Sequence, residues 1–395
     1  MNRHNSRKLH SLVIFRNILE AEPIQRLMQL FDCNELDKND ITDKYSRFAA
    51  AILGEGGNLS EYMLNLVLED ENIYTKYKVT GRGDKELLEP LLERELSVIH
   101  LLSMYDGEQL RDFTGDETLA HWKTSDIDFL GVYRKRMEQI HLKGFGIYAK
   151  YHMFVLGEKG EVLPIKNPDP QKISDLSGYE RERGKIVANT RALLDGKPAN
   201  NVLLYGDAGT GKSSTVKAIG NEFAAEGLRI IELKKDQLHL IPHLMDELVM
   251  NPLKFILFID DLTFASDDED FCALKATLEG GVSSRGNNTI IYATSNHRHL
   301  VKESASDRMG DEISVGDKMQ GIISLSARFG LTVTYSRPDK VLYCSIVKAL
   351  ADKAGIELDE DTLYVRAEAH AIRNGGRNPR TARQFIDLLL SGVEG

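Results

Sequence analysis

Hydrophobic positions follow one spacing in the first 170 residues and another beyond them. Between Asp84 and Met104, Leu87, Leu88, Leu91, Leu92, Leu96, Ile99 and Leu102 recur at intervals of three to four, which predicts an amphipathic helix with a core-facing stripe. Leu9, Leu12, Val13, Phe15, Ile18 and Leu19 predict another near the start. The period then shortens: His152 to Leu156 and Glu161 to Ile165 flank Gly157-Glu158-Lys159-Gly160, the pattern of a β-hairpin. Asn167-Pro168-Asp169-Pro170 follows as a boundary. Past it come short apolar runs at Val202 to Tyr205, Arg229 to Leu233, Phe255 to Ile259, Thr289 to Thr294 and Leu331 to Tyr335, separated by helical stretches. Runs that are apolar throughout suit strands covered on both faces. They predict an α/β domain at 171–337 with a parallel five-stranded sheet and helices on both faces. From Pro338 the spacing is helical again, with Asp359 as an N-cap, Gly375-Gly376 as a stop and a last amphipathic helix from Pro379 to Leu390. The reading is three domains, 1–170, 171–337 and 338–395, the first mainly helical.

The junction after the first of these runs carries chemistry. Gly206-Asp207-Ala208-Gly209-Thr210-Gly211-Lys212-Ser213-Ser214 joins a buried strand to a helix. Its glycines let backbone N–H groups curl around a phosphate, Lys212 can reach the β- and γ-phosphates, and the Ser213 hydroxyl can ligate magnesium. Phe255 to Ile259 ends in Asp260-Asp261, where Asp260 can support the metal and Asp261 can deprotonate an attacking water. The run from Thr289 finishes at Ser295-Asn296, an amide at a strand end beside the other two. His239 and His243 have one-turn spacing, but Pro242 interrupts them and the expectation is no metal there. Cys33, Cys272 and Cys344 have no metal-ligand spacing and predict no disulfide framework.

The order of phosphate loop, paired aspartates, Thr-Ser-Asn strand end and Ser326-Ala327-Arg328-Phe329-Gly330 resembles the AAA+ ATPases, from about Ile173 to the C-terminus. The phrases Asn200 to Gly206, Phe258 to Leu262, Leu278 to Gly281 and Tyr292 to Leu300 are similar to a bacterial family of stand-alone AAA+ proteins known only as a domain of unknown function. The resemblance implies a P-loop NTPase fold, ATP as the nucleotide, magnesium, and a C-terminal helical lid. It implies that Asn296 helps place the attacking water and that Arg328 reaches a neighbouring subunit's nucleotide, with Arg285, Arg298 and Arg308 as rivals. It also implies that Arg380, or Arg383 one turn later, senses nucleotide from the start of a lid helix. Leu176, Gly178 and Tyr179 match the segment that packs on the base. Asp261 stands where glutamate is usual, which shortens the carboxylate by one methylene and points to slow turnover.

With 395 residues, 42% of them hydrophobic, the chain can build packed cores. Its formal net charge of -10 provides no global field for nucleic acid or anionic lipid. Arg16 interrupts the early apolar run before it could span a membrane, so the reading is a cytoplasmic protein. The expected function is an ATP-hydrolysing homo-oligomer, a ring or partial ring, that remodels a protein partner recruited by residues 1–170. A loader or initiator on nucleic acid is the alternative, motivated by the aspartate pair and by Lys234, Lys235, His297, Arg298 and His299 on loops. A nucleotide switch of negligible turnover is another. The segment Lys234 to His239 lacks the aromatic-hydrophobic-glycine loop expected of a threading unfoldase.

Overall fold

The computed structural model describes residues 2–33, 37–262, 274, 275, 278, 288–296 and 328–392. They form two compact units, Met1–Lys150 and Tyr151–Gly395.

The first unit is helical among its described residues. Asp37, Asn58, Asn72 and Asp84 each accept backbone N–H bonds at a helix N-terminus, which satisfies donors the helix itself leaves unpaired. Asp84 starts the helix Lys85–Ser103, which buries Leu92, Leu96, Ile99 and Leu102. Leu87, by contrast, lies exposed. Phe15, Phe31, Tyr45, Phe48, Trp122 and Tyr133 fill the core.

The N-terminal amphipathic helix is shorter than its pattern suggests. It runs Asn2–His10, and a 3-10 turn follows at Arg16–Glu20. The cause is Glu95, on the long helix, whose buried carboxylate accepts the N–H groups of Val13, Ile14 and Phe15 at 2.8, 2.9 and 3.2 Å. Those donors are diverted from a helical ladder to a side chain about eighty residues away in sequence. Leu9, Leu12, Phe15 and Ile18 are still buried, while Val13 faces out.

Among the described residues of the second unit the sheet has seven strands, not five, and is mixed rather than wholly parallel. These are β1 (Met153–Leu156), β2 (Val162–Pro164), β3 (Val202–Gly206), β4 (Leu228–Leu233), β5 (Lys254–Ile259), β6 (Thr289–Ser295) and β7 (Leu331–Tyr335), in the order β2-β1-β4-β5-β6-β3-β7. The five strands expected from sequence form its parallel body. The hairpin adds the other two, because β1 pairs parallel with β4 and antiparallel with β2. Every residue of β6, and every residue of β5 but Lys254, is buried, which explains why both read as continuous apolar runs.

From β3 the chain leaves through the helix Lys212–Phe223 and returns at β4, passing over β6 and β5. Strand direction therefore opens a crevice at the carboxyl end of β3, where ligands of such sheets bind. Registers Tyr205↔Ser295 and Ile259↔Ala293 bring the ends of β3, β6 and β5 side by side. Helices Lys340–Ala354, Glu360–Arg373 and Pro379–Ser391 complete the unit.

Candidate functional site

The loop after β3 turns on three glycines with left-handed backbone, Gly206, Gly209 and Gly211. Gly206 has φ 136°, and a Cβ there would lie 2.1 Å from the Tyr335 carbonyl oxygen. Gly209 has φ 76°, and a Cβ there would meet the Asn378 amide at 2.8 Å. At Gly206 the clash is with backbone, so no side chain fits there, and at Gly209 the left-handed φ strains any L side chain. The loop ends in Gly211, N-cap of the helix Lys212–Phe223, so N–H donors and the positive helix end converge on one spot.

Lys212, 5% exposed, sends its ammonium back along this loop. It donates to the carbonyl oxygens of Gly206 at 2.9 Å and Asp207 at 2.8 Å, and to Asn296 Oδ1 at 3.0 Å. Burial lowers its pKa; Asp207, Asp260 and Asp261 pull the other way, and Arg380 adds to the lowering. A buried cation whose direct partners are all neutral oxygens fits an incoming anion.

Beside it, Ser213 Oγ donates to Asp260 Oδ1 at 2.6 Å. A hydroxyl and a carboxylate this close form an oxygen donor set of the kind magnesium takes. Asn296 Nδ2 donates to Asp261 Oδ1 at 2.7 Å, so one amide bridges Lys212 and Asp261. Asp261 has φ 51°, a left-handed conformation that few residues other than glycine adopt.

These groups line a cavity of about 820 Å³ together with Leu176, Arg380 and Arg383. Asn378 caps the helix Pro379–Ser391 by accepting the Thr381 N–H at 2.9 Å, and Pro379 occupies its first turn. The Arg380 N–H reaches the Gly209 carbonyl at 3.2 Å, anchoring that helix to the phosphate loop.

Of the residues matched to the base, Leu176 lines the cavity. Gly178, φ 75°, sits against Ile346, which a Cβ would approach to 2.7 Å. Tyr179 packs on Tyr335 with ring centres 5.1 Å apart and donates to the Ser336 carbonyl at 2.6 Å. Arg328 lies elsewhere, beside a separate cavity of about 340 Å³ at the amino ends of β3 and β6, with Lys197, Asn200 and Gly330. Arg285, Arg298 and Arg308, like Cys272, Ser326, Ala327 and His297 to Leu300, lie outside the described residues.

Other contacts of the site were not readable from the sequence. Arg183, buried, donates to the carbonyls of Gly178 and Leu176, the latter at 3.0 Å, and holds that segment against the cavity. Its spacing is that of an ordinary helix surface. Thr294, given no role of its own within the Thr-Ser-Asn strand end, touches both aspartates that follow β5. Asp207 accepts the Arg337 N–H at 2.8 Å, a long-range bond without a sequence signal.

No helix among the described residues is long and apolar enough to cross a membrane. Replication factor C large subunit from Thermofilum pendens (strain DSM 2475 / Hrk 5) is 33% identical over 119 residues, 28% of this chain and 28% of that protein's length. Among solved structures, the Thermotoga maritima RuvB Holliday junction branch migration motor is 17% identical with TM-score 0.39, covering 57% of this chain and 67% of that one. AMPPCP-bound DnaA from Aquifex aeolicus is 20% identical with TM-score 0.40, over 57% and 67%. Residues 149–393 match the profile of a family described as Protein of unknown function (DUF815). That match spans more than half of the chain, so the protein belongs to this family.

Proposed function

We propose that the protein binds and hydrolyses ATP with magnesium and, as a homo-oligomer, uses the energy to remodel a protein partner. The observation that carries this reading is the convergence of Lys212, Ser213, Asp260, Asp261 and Asn296 at the adjoining ends of β3, β5 and β6. In it Lys212 neutralises the β- and γ-phosphates, exchanging neutral oxygens for charged ones. Ser213 and Asp260 hold magnesium, which when bound supplies further neutralisation of the phosphates. Asp261 accepts the proton of the attacking water and Asn296 orients it.

Arg380 senses the nucleotide from within the same chain, on a lid formed by 338–395. Arg328 serves a neighbour: its position at the amino ends of the strands, away from its own phosphate loop, supports a role in trans. Leu176, Gly178 and Tyr179 receive the base. The partner is held by the helical N-terminal unit, which is compact in its own right.

ATP turnover measured across protein concentration tests this reading. Turnover per chain should rise with concentration, and Arg328→Ala mixed with Asp261→Asn should recover part of what each loses alone. Tight ATP binding with flat or absent turnover would replace the motor with a nucleotide switch. The Asp260-Asp261 pair, with Lys234 and Lys235 at a strand end, keeps a loader on nucleic acid as a second reading. It requires DNA or RNA binding that weakens steeply with added salt.

A further inference from the structure

We infer that Thr294 is a positioning residue that sets both acidic groups of the site at once. This rests on the hydrolytic reading above. Thr294 is 2% exposed; it opens the Thr-Ser-Asn strand end and lies two residues before Asn296, within β6. Its hydroxyl has one proton to give and lone pairs to receive, and the structure employs both. Oγ1 donates to Asp260 Oδ1 at 2.5 Å and accepts the backbone N–H of Asp261 at 2.9 Å. The Thr294 carbonyl accepts the Leu262 N–H at 2.7 Å.

Through the first bond Thr294 fixes the carboxylate that also accepts Ser213, so the oxygens offered to magnesium are held from two sides. Through the second it holds Asp261 in its left-handed conformation, φ 51°, where the side chain can meet the Asn296 amide. One buried hydroxyl thus ties the metal carboxylate to the water-handling carboxylate. Outer partners of this kind orient the ligands they touch and tune metal affinity.

Thr294→Val keeps the shape and removes both bonds; Thr294→Ser keeps the hydroxyl. Full-length proteins should be compared for binding of a fluorescent ATP analogue in EDTA and across Mg²⁺ and Mn²⁺ titrations, for kcat and KM, and for amide exchange at Asp261. For Thr294→Val we expect unchanged metal-free binding and faster exchange at Asp261. The metal concentration for half-maximal effect should rise by about 10–100-fold, with kcat lowered to match. Thr294→Ser should stay close to the wild type. Wild-type metal dependence in Thr294→Val, or equal impairment of Thr294→Ser, would overturn the assignment. A wild type that binds no nucleotide would refute the hydrolytic reading first, and this one with it. A wild type that binds without turnover still decides the matter through the metal titration.

Discussion

Each unit of the molecule buries a charge, and the two are satisfied in opposite ways. In the helical unit Glu95, 1% exposed, receives three backbone N–H groups of one short segment. In the sheet unit Lys212 gives its protons to two loop carbonyls and a side-chain amide. The partners of Glu95 are three backbone dipoles of one segment and, at 3.8 Å, the Arg94 guanidinium, so the carboxylate is saturated and its work is structural. Those of Lys212 are neutral groups that a phosphate can displace, so the ammonium keeps its capacity for a ligand. Burial of charge alone therefore does not mark a functional site; exchangeable partners do.

The largest effect should separate the two charges by function. Lys212→Ala is expected to lower ATP turnover by about 10²–10³-fold, the scale of losing one preorganised electrostatic contact, with little change in the unfolding midpoint. A variant retaining full turnover would break the comparison on the sheet side. Glu95→Ala should do the reverse. Leaving three amides without an acceptor should cost about 3 kcal/mol of stability in denaturant titrations and speed exchange at Val13 to Phe15, with nucleotide affinity intact. Unchanged stability would show that the carboxylate is not what ends the first helix.

A smaller effect lies where structure and site overlap. Asn378→Ala removes an N-cap and should cost about 1 kcal/mol in the same titration. It should also weaken ATP binding, because the capped helix carries Arg380 against Gly209. The smallest is a pH effect. Burial lowers the Lys212 pKa in the folded protein below its usual value of 10.5, so the unfolded chain binds more protons between the two values. Nucleotide-free protein should gain stability as pH rises through that window, and Lys212→Met should flatten the gain. A slope of the other sign would mean that the nearby carboxylates outweigh burial.

The sequence made the core of the site readable because local chemistry writes it: Gly206 to Ser214 and Asp260-Asp261 stand at the ends of unmistakably apolar strands. Residues that act through distant pairing were not readable. Thr294 stands in the Thr-Ser-Asn strand end, but it is β-branched and sits inside a strand, so the role of its hydroxyl passes for strand propensity until the aspartates after β5 come beside it. Arg183 passes for helix surface until the carbonyls of Leu176 and Gly178 enclose it. The hairpin was visible as two strands and a turn, but its partner was not, since pairing with β4 joins segments about eighty residues apart in sequence. The first helix stops where it does for the same reason, through Glu95.

That hairpin has a consequence for solubility. Without β1, the apolar strand β4, Leu228–Leu233, would offer its backbone groups along an open margin of the sheet, a template on which another chain could add a strand. β1 covers that margin and is covered in turn by β2, which is only three residues long and ends in Pro164, a residue with no N–H to extend a ladder. On this side the sheet terminates itself, and crowded copies of the protein meet a margin too short and too poor in donors to seed aggregation.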